Sequence, residues 1–246
     1  MKKIELSIVI PCKDEELTIA DCIEKALRVL KKEKIDGEVI VVDNNSSDNS
    51  YSIAKSFVGK GVRLKMEKLP GYGKCLRKGF NAANGKYIIF ADSDRTYDFL
   101  EIPKFIKKLR GGCDFVIGSR FKGKIQKNAM PALRYYIGNP VLTFLIKTLF
   151  NINISDSQSG FRGFRRDLLK KLDLKQNGMD FASEMLIKAS KLNIKICEVP
   201  INYYPRVKGS SSKLNSFKDG FKHLAFIIKS YAKNYKKNYK KSKIKN

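Results

Sequence analysis

Hydrophobic and polar positions alternate between two periods along the first half of the chain. Residues 6–10 form an apolar run, broken only by Ser7 and closed by Pro11, the pattern of a strand covered on both faces. In residues 17–30, Ile19, Cys22, Ile23, Ala26, Leu27 and Leu30 recur at helical spacing with charges between them. The alternation continues with a strand over 38–42 that stops at Asp43, a short helix over 50–57 and a strand over 62–66. A helix over 74–83, a strand over 86–91, a helix over 103–109 and a strand over 114–117 follow. Strands alternating with helices predict an α/β fold, with a mostly parallel central sheet and right-handed crossovers. Such sheets bind ligands beyond the carboxyl ends of their strands. Polar clusters fall there: 13–16, 43–48, 92–94 and 119–120.

The second half follows a different pattern. Residues 133–150 are apolar and aromatic, interrupted by Gly138 and Pro140, while 180–192 predict a helix and 195–199 a strand. Phe217, Phe221, Leu224, Ala225, Ile228, Tyr231 and Tyr235 recur every three or four positions. That spacing predicts a final helix with one apolar face and lysines on the other. Residues 236–246 are rich in Lys and Asn and predict a frayed end. The chain divides into a domain over 1–215 and an amphipathic basic helix with a Lys-rich tail over 216–246.

Charge adds a partner to this picture. The 246 residues carry 50 Lys plus Arg against 24 Asp plus Glu, a formal net charge of +26, so an anionic partner or substrate is expected. No acid follows Asp219, whereas nine lysines do. A hydrophobic content of 43% excludes a disordered polybasic chain. No apolar run reaches the roughly 18 residues that span a bilayer, and residues 1–11 lack a signal-peptide pattern. A cytoplasmic protein without a transmembrane helix is expected. Cys12, Cys22, Cys75, Cys113 and Cys197 are scattered without CxxC spacing, which predicts buried free thiols, with neither a disulfide framework nor a zinc site. His223 is the one histidine and lacks partners for a metal cluster or a triad.

Three motifs carry candidate chemistry. FADSD, residues 90–94, puts Asp92 and Asp94 just past a buried strand, with Ser93 between them. Carboxylate oxygens of this kind suit Mg²⁺ or Mn²⁺ bridging to phosphate. Surface acid pairs are common, and the position at a strand end facing other polar strand ends is what singles this pair out. VVDNNSSD, residues 41–48, sets Asp43 and Asn44 at a strand terminus, where they can hydrogen-bond a base or ribose. Asp48 or Ser50 can equally cap the next helix. The run Gly71, Tyr72, Gly73, Lys74 is neither a P-loop nor the dinucleotide fingerprint, since Leu76 stands in place of the third glycine and Pro70 precedes it. A glycine-rich turn followed by lysine still suits close approach of a phosphate.

Together, PCKDEE, VVDNNSSDNS, PGYGKCLRKGFNAANGKYIIFADSD, VIGSR, SGFRGFRR and EVPINYYPRVKGSSSK resemble glycosyltransferase family 2. Within it the sequence resembles the polyprenyl (dolichyl) phosphate hexose synthases, with the motifs in family order over residues 6–213. The resemblance implies a GT-A (Rossmann-like) fold, a nucleotide-diphosphate sugar donor, a divalent metal (Mg²⁺ or Mn²⁺) and a polyprenyl or dolichyl phosphate acceptor. Carried over by position, it implies that Pro11, Glu15, Asp43 and Asn44 hold the nucleoside. Asp92 is expected at the nucleoside side and, with Asp94, at the metal; Ser93 and Lys74 join the donor site. Arg206 and Lys213 match a basic loop that closes on the diphosphate. Arg120 and Arg134 match arginines that bind the acceptor phosphate and take part in catalysis with Asp94 and Glu184. Asp156, Gln158 and residues 160–162 match the motif beneath the sugar, and Glu184 an acid near it. Asp14 stands where the family usually has Asn, and Thr96 replaces a Gln that often helps hold the metal. The C-terminal transmembrane helices that the family often carries have no counterpart in this sequence.

The activity implied is inverting transfer of a hexose, from a UDP-glucose-type donor rather than GDP-mannose, to a lipid phosphate. An ionised phosphate is already a nucleophile, so a general base is less necessary. Residues 133–150 and 217–235 suit contact with an anionic membrane surface on the cytoplasmic face; packing on the core is the competing expectation. A saccharide hydroxyl acceptor would instead need a base, for which Glu184 or Asp180 is the candidate. A nucleic-acid-binding module would account for +26, but no recognised binding motif is present and the acids gather at strand ends. Nucleic acid is therefore not expected as a partner.

Overall fold

The structure is a computed structural model; it describes residues 4–210 and 216–243, without the side chains of 216–218 and 234–243. The apolar runs form one seven-stranded sheet: β1 (Leu6–Cys12), β2 (Gly37–Asp43), β3 (Val62–Met66), β4 (Tyr87–Phe90), β5 (Phe115–Ile125), β6 (Arg162–Arg165) and β7 (Ile196–Tyr203). Their order is β3-β2-β1-β4-β6-β5-β7. β1 pairs in parallel with β2 and β4, β2 with β3, and β5 with β7; β6 is antiparallel to both β4 and β5. Every strand but β6 therefore points its carboxyl end at one edge.

Helices cover both faces. They are α1 (Ile19–Lys32), α2 (Ser50–Lys55), α3 (Tyr72–Ala82), α4 (Ile102–Arg110), α5 (Asn139–Phe150), α6 (Leu168–Leu172), α7 (Phe181–Ser190) and α8 (Ser216–Lys243). Every residue of β1 is buried, because alternate side chains enter different cores. Leu6, Ile8, Ile10 and Cys12 pack with α1 and α4, while Val9 packs with Leu76 and Phe80 of α3 in the layer that also holds α5 and α7.

Several elements differ from expectation. β6 is a four-residue strand, RGFR, whose Arg162 is 1% exposed; two arginines in four residues carry no strand signal. Residues 133–150 split into a π-helical turn (Arg134–Gly138) and α5, with Pro140 in the first turn of the helix, where its missing N–H is harmless. α8 buries His223 and Ile227, with Leu224 and Phe226 packed on the core. Of the expected apolar face, Phe221, Ile228 and Tyr231 are exposed, and the Phe217 and Tyr235 side chains lie outside the described residues.

The expectation of free thiols is corrected at one pair. Cys113 and Cys197 form a disulfide with Cα atoms 6.1 Å apart. The parallel register of β5 on β7 pairs Val116 with Cys197 and brings together two cysteines 84 residues apart in sequence, which spacing rules do not detect. Cys12, Cys22 and Cys75 are buried free thiols.

Candidate active site

The carboxyl ends of β1, β2 and β4 open into a cleft of about 430 Å³, with Pro11, Glu15, Asn44, Ser93, Asp94 and Arg206 among its lining. A second cavity of about 130 Å³ adjoins it, lined by Tyr97, Arg120, Asn139, Gln158, Gly160 and His223 among others. Tyr72, Asp92, Arg134, Met179, Tyr203 and Asp219 line both, so Asp92 stands where the two meet.

One arginine holds two acids of the cleft, Glu15 and Asp94. Arg206 Nη2 lies 2.5 Å from Asp94 Oδ2, and its Nη1 donates to Glu15 Oε1 at 3.2 Å and to Ser210 Oγ at 3.1 Å. Asp94 Oδ1 accepts from the Thr96 backbone N–H at 3.0 Å and its hydroxyl at 2.5 Å. Burial raises the pKa of Glu15 against the pull of Arg206. Burial raises Asp92 well above the usual carboxylate range, Asp94 adds like-charge repulsion, and a hydrogen bond from Tyr72 partly opposes both. For Arg206, burial works against the charge, but Asp94 and Glu15 outweigh it and raise the pKa.

Two adjacent carboxylates whose repulsion is only partly relieved, both hard oxygen donors, fit a divalent cation such as Mg²⁺ or Mn²⁺. Among the described residues no group of three His, Cys, Asp or Glu side chains forms a complete metal cage. Thr96 directs its hydroxyl to Asp94, so water and phosphate oxygens would complete the sphere.

The two arginines expected to bind an acceptor phosphate differ from one another. Arg120 is spent on Asp156: Nε to Oδ2 at 2.7 Å, Nη2 to Oδ1 at 2.8 Å, and its backbone N–H to Oδ2 at 3.1 Å. Its guanidinium also lies over the Tyr203 ring at 5.1 Å. Arg134, from the π-helical turn, lines both cavities, and burial lowers its pKa, with Arg120 and Arg206 adding to the effect.

The other expected positions have varied surroundings, and Asp156, Glu184 and Lys74 among them stand away from the cavities. Asp156 is 0% exposed and serves as the counterion of Arg120, so it does not face the donor. Glu184 lies outside both cavities; its carboxylate accepts from Lys175 N–H at 2.9 Å and Gln176 N–H at 2.8 Å and pairs with Lys188. Lys74 lines neither cavity; of its turn, Gly71 and Tyr72 reach the cleft, and Gly71 and Gly73 pack on the backbone of Asn177 and Gln176. Asn44 lines the cleft but spends its amide on Glu67 O, Leu69 O and Gly71 N–H. Gln158 belongs to the smaller cavity and donates to Ser157 Oγ at 2.9 Å. Asp43 is 1% exposed; Oδ2 accepts from Ser46 N–H at 3.1 Å, while Oδ1 is buried with no partner among the described residues. Lys213 lies outside the described residues.

The structure gives contacts to residues whose roles the sequence left open. Tyr72, inside the glycine turn, donates its phenol O–H to Asp92 Oδ1 at 2.8 Å. Tyr97 OH accepts from Gly160 N–H at 2.7 Å. His223 contacts Ser183 Oγ through Nδ1 at 2.7 Å. The buried Arg162 donates to Ser157 O, Ser159 O and Ala182 O, and burial pushes it down to about 10. In sequence Tyr72 stands in the glycine run without a role of its own and Tyr97 carries no signal; only their contact partners reveal them.

Low-salt glycan biosynthesis hexosyltransferase Agl6 of Haloferax volcanii is 38% identical over 224 residues, 91% of this chain and 53% of that protein. The chain thus spans about half the length of that relative. Dolichyl-phosphate beta-glucosyltransferase of Dictyostelium discoideum is 26% identical over 245 residues, covering 92% of this chain and 73% of that one. The crystal structure of glucosyl-3-phosphoglycerate synthase from Mycobacterium tuberculosis in complex with Mn²⁺, UDP and phosphoglyceric acid superposes with a TM-score of 0.73. It covers 93% of this chain and 78% of that one at 21% identity, a likeness of fold that makes the sheet GT-A-like. The family model for glycosyl transferase family 2 matches residues 7–173, and because that match runs from β1 through α6, the chain belongs to glycosyl transferase family 2.

Proposed function

We propose that the protein transfers a hexose, with inversion, from a nucleotide-diphosphate sugar of the UDP-glucose type to a polyprenyl or dolichyl phosphate at a membrane surface. The observation that carries this is the meeting of two cavities at Asp92, one with Asp94, Glu15 and Arg206, the other walled by Arg120 and Arg134. A two-substrate transfer needs adjoining sites of this kind. The names of two similar proteins support the chemistry: one is a dolichyl-phosphate beta-glucosyltransferase, and one was crystallised with Mn²⁺ and UDP.

The larger cleft takes the donor. Asp43 lines neither cavity, but it ends β2 next to Asn44 of the cleft wall, and its Oδ1, without a partner among the described residues, is the acceptor this reading assigns to an N–H or O–H of the nucleoside. Asp92 and Asp94 would hold a Mg²⁺ or Mn²⁺ ion, which when bound would supply Lewis-acid neutralisation of the diphosphate. Arg206 exchanges its carboxylate partners for the leaving diphosphate and stabilises charge as the glycosyl bond breaks. Arg134 binds the acceptor phosphate. Arg120, its fork occupied by Asp156, contributes a fixed positive charge from the wall. The hydroxyl-acceptor alternative needs a base, and neither Glu184 nor Asp180 lines either cavity.

Membrane contact belongs to the same reading. Tyr136, 73% exposed, and Phe144, 65% exposed, stand on the π-helical turn and α5, which also line the acceptor cavity through Arg134, Asn139 and Leu142. No helix among the described residues is long and apolar enough to cross a membrane. The test mixes the protein with polyprenyl phosphate, Mg²⁺ or Mn²⁺, and UDP-glucose, UDP-N-acetylglucosamine or GDP-mannose in turn, and detects lipid-linked sugar by mass. Product with one donor, lost in EDTA and in Asp94→Ala, is expected; no product with any donor, or product unchanged by both treatments, overturns the reading.

A further inference from the structure

We infer that Tyr72 is a positioning residue for sugar transfer, holding the Asp92 carboxylate at the junction of the donor and acceptor cavities, and that Glu184 supports it from outside the site. The inference rests on the transfer reading and names residues that reading leaves unused.

Asp92 is gripped from two sides. Its Oδ1 accepts the Tyr72 phenol O–H at 2.8 Å. Its Oδ2 lies over Gly160, where a Cβ would approach to 2.5 Å, so only glycine leaves room for the carboxylate. Gly160 is itself fixed, its N–H bonded to Tyr97 OH at 2.7 Å. A carboxylate held by one directional donor and one close wall has a single orientation.

Tyr72 is held in turn by its two flanking glycines. Gly71 has φ +144°, and a Cβ there would meet Asn177 O at 2.6 Å; a Cβ at Gly73 would overlap Gln176 O. Gly73 N–H donates to Asn177 O at 2.9 Å, and Arg77 donates to Gln176 O and to Asn177 Oδ1. This backbone is anchored by Glu184, which accepts from the N–H groups of Lys175 and Gln176. The contacts run continuously from Glu184 through residues 175–177 and the glycine turn to Tyr72 and Asp92. An acid buried beneath the site, with its oxygens spent on two backbone N–H groups and Lys188, acts through placement and not by touching substrate.

Kinetics of Tyr72→Phe, Glu184→Gln and the double variant test this, with melting temperature as a control. Tyr72→Phe removes one oxygen and keeps the ring. It is expected to lower kcat about 10- to 100-fold, the scale of a misplacement near 1 Å, with donor KM changed less than about threefold and an unchanged melting temperature. Glu184→Gln is expected to lower kcat in the same way, and the double variant to lose less than the product of the single losses, because both act on one carboxylate. Wild-type kcat in Tyr72→Phe overturns the role of Tyr72, and multiplicative losses overturn the link to Glu184. Gly160→Ala, which displaces Asp92 from the opposite side, is expected to reproduce the kcat loss, and full activity there counts against the clamp. Absence of transfer in the wild type would instead overturn the transfer reading itself, so the two failures are distinguishable.

Discussion

Arg120 has the side chain that sequence logic assigns to a phosphate, yet its planar fork closes on Asp156 in a buried, bidentate pair. The residue type was legible; its partner was not, because Asp156 lies 36 positions away and reads equally well as a site acid. Buried pairs of this kind are costly to break from one side. Asp156→Asn leaves a buried guanidinium without a compensating charge and is expected to destabilise the fold by about 3–5 kcal/mol, measurable by urea unfolding at neutral pH. A loss under about 1 kcal/mol would mean that the charge is compensated elsewhere. Asp92 and Asp94 were legible for the opposite reason: they follow a fully buried strand directly, so strand direction alone points them at the site edge.

At the scale of elements, strands and helices with one clear period were legible, and those defined by partners were not. β6 has no pattern of its own and exists because β4 and β5 offer it hydrogen bonds on both sides. α8 was legible as a helix, but its buried line runs through His223 and Ile227, since a polar histidine with a serine partner packs where the pattern counted only apolar residues. That burial has a pH signature. Desolvation lowers His223 to about 4, with Arg162 also disfavouring the charge and Asp219 partly opposing them. Between pH about 6.5 and 4 the unfolded chain binds the proton better, so stability declines as pH falls through that window and levels off below it. The full difference is about 3 kcal/mol. His223→Gln should flatten this limb of the stability curve, and an identical pH dependence in the variant would refute the assignment. The exposed aromatic face of the π-helical turn and α5 gives a second element-level expectation. Tyr136→Ser combined with Phe144→Ser should weaken pelleting with anionic vesicles roughly tenfold or more while leaving the melting temperature unchanged; equal pelleting would remove these side chains from the membrane contact.

For the whole molecule, the alternation of strands and helices made the sheet legible from its first half, whereas the closure of the second half depends on contacts distant in sequence. The Cys113–Cys197 disulfide is the clearest case, joining the start of β5 to the edge strand β7. Closing a loop of this length is worth roughly 4–5 kcal/mol in the chain-entropy model. Reductant, or Cys197→Ser, should therefore lower stability by about 2–5 kcal/mol; a melt insensitive to reductant would show that the bridge is not formed in solution. The order of the strands along the sheet also implies an order in time. β1 pairs with β2 and β2 with β3 across 31 and 23 residues (Leu6 with Gly37, Val39 with Val62), whereas β1 meets β4 across 81 (Leu6 with Tyr87). β5 meets β7 across the same span, Phe115 with Ile196, and both long closures are slower than the two short ones. During synthesis the half bearing Glu15, Asp92 and Asp94 emerges first, and Arg206, which pairs with Glu15 and Asp94, arrives only after the last strand. Until then the nascent chain carries its cluster of acids uncompensated.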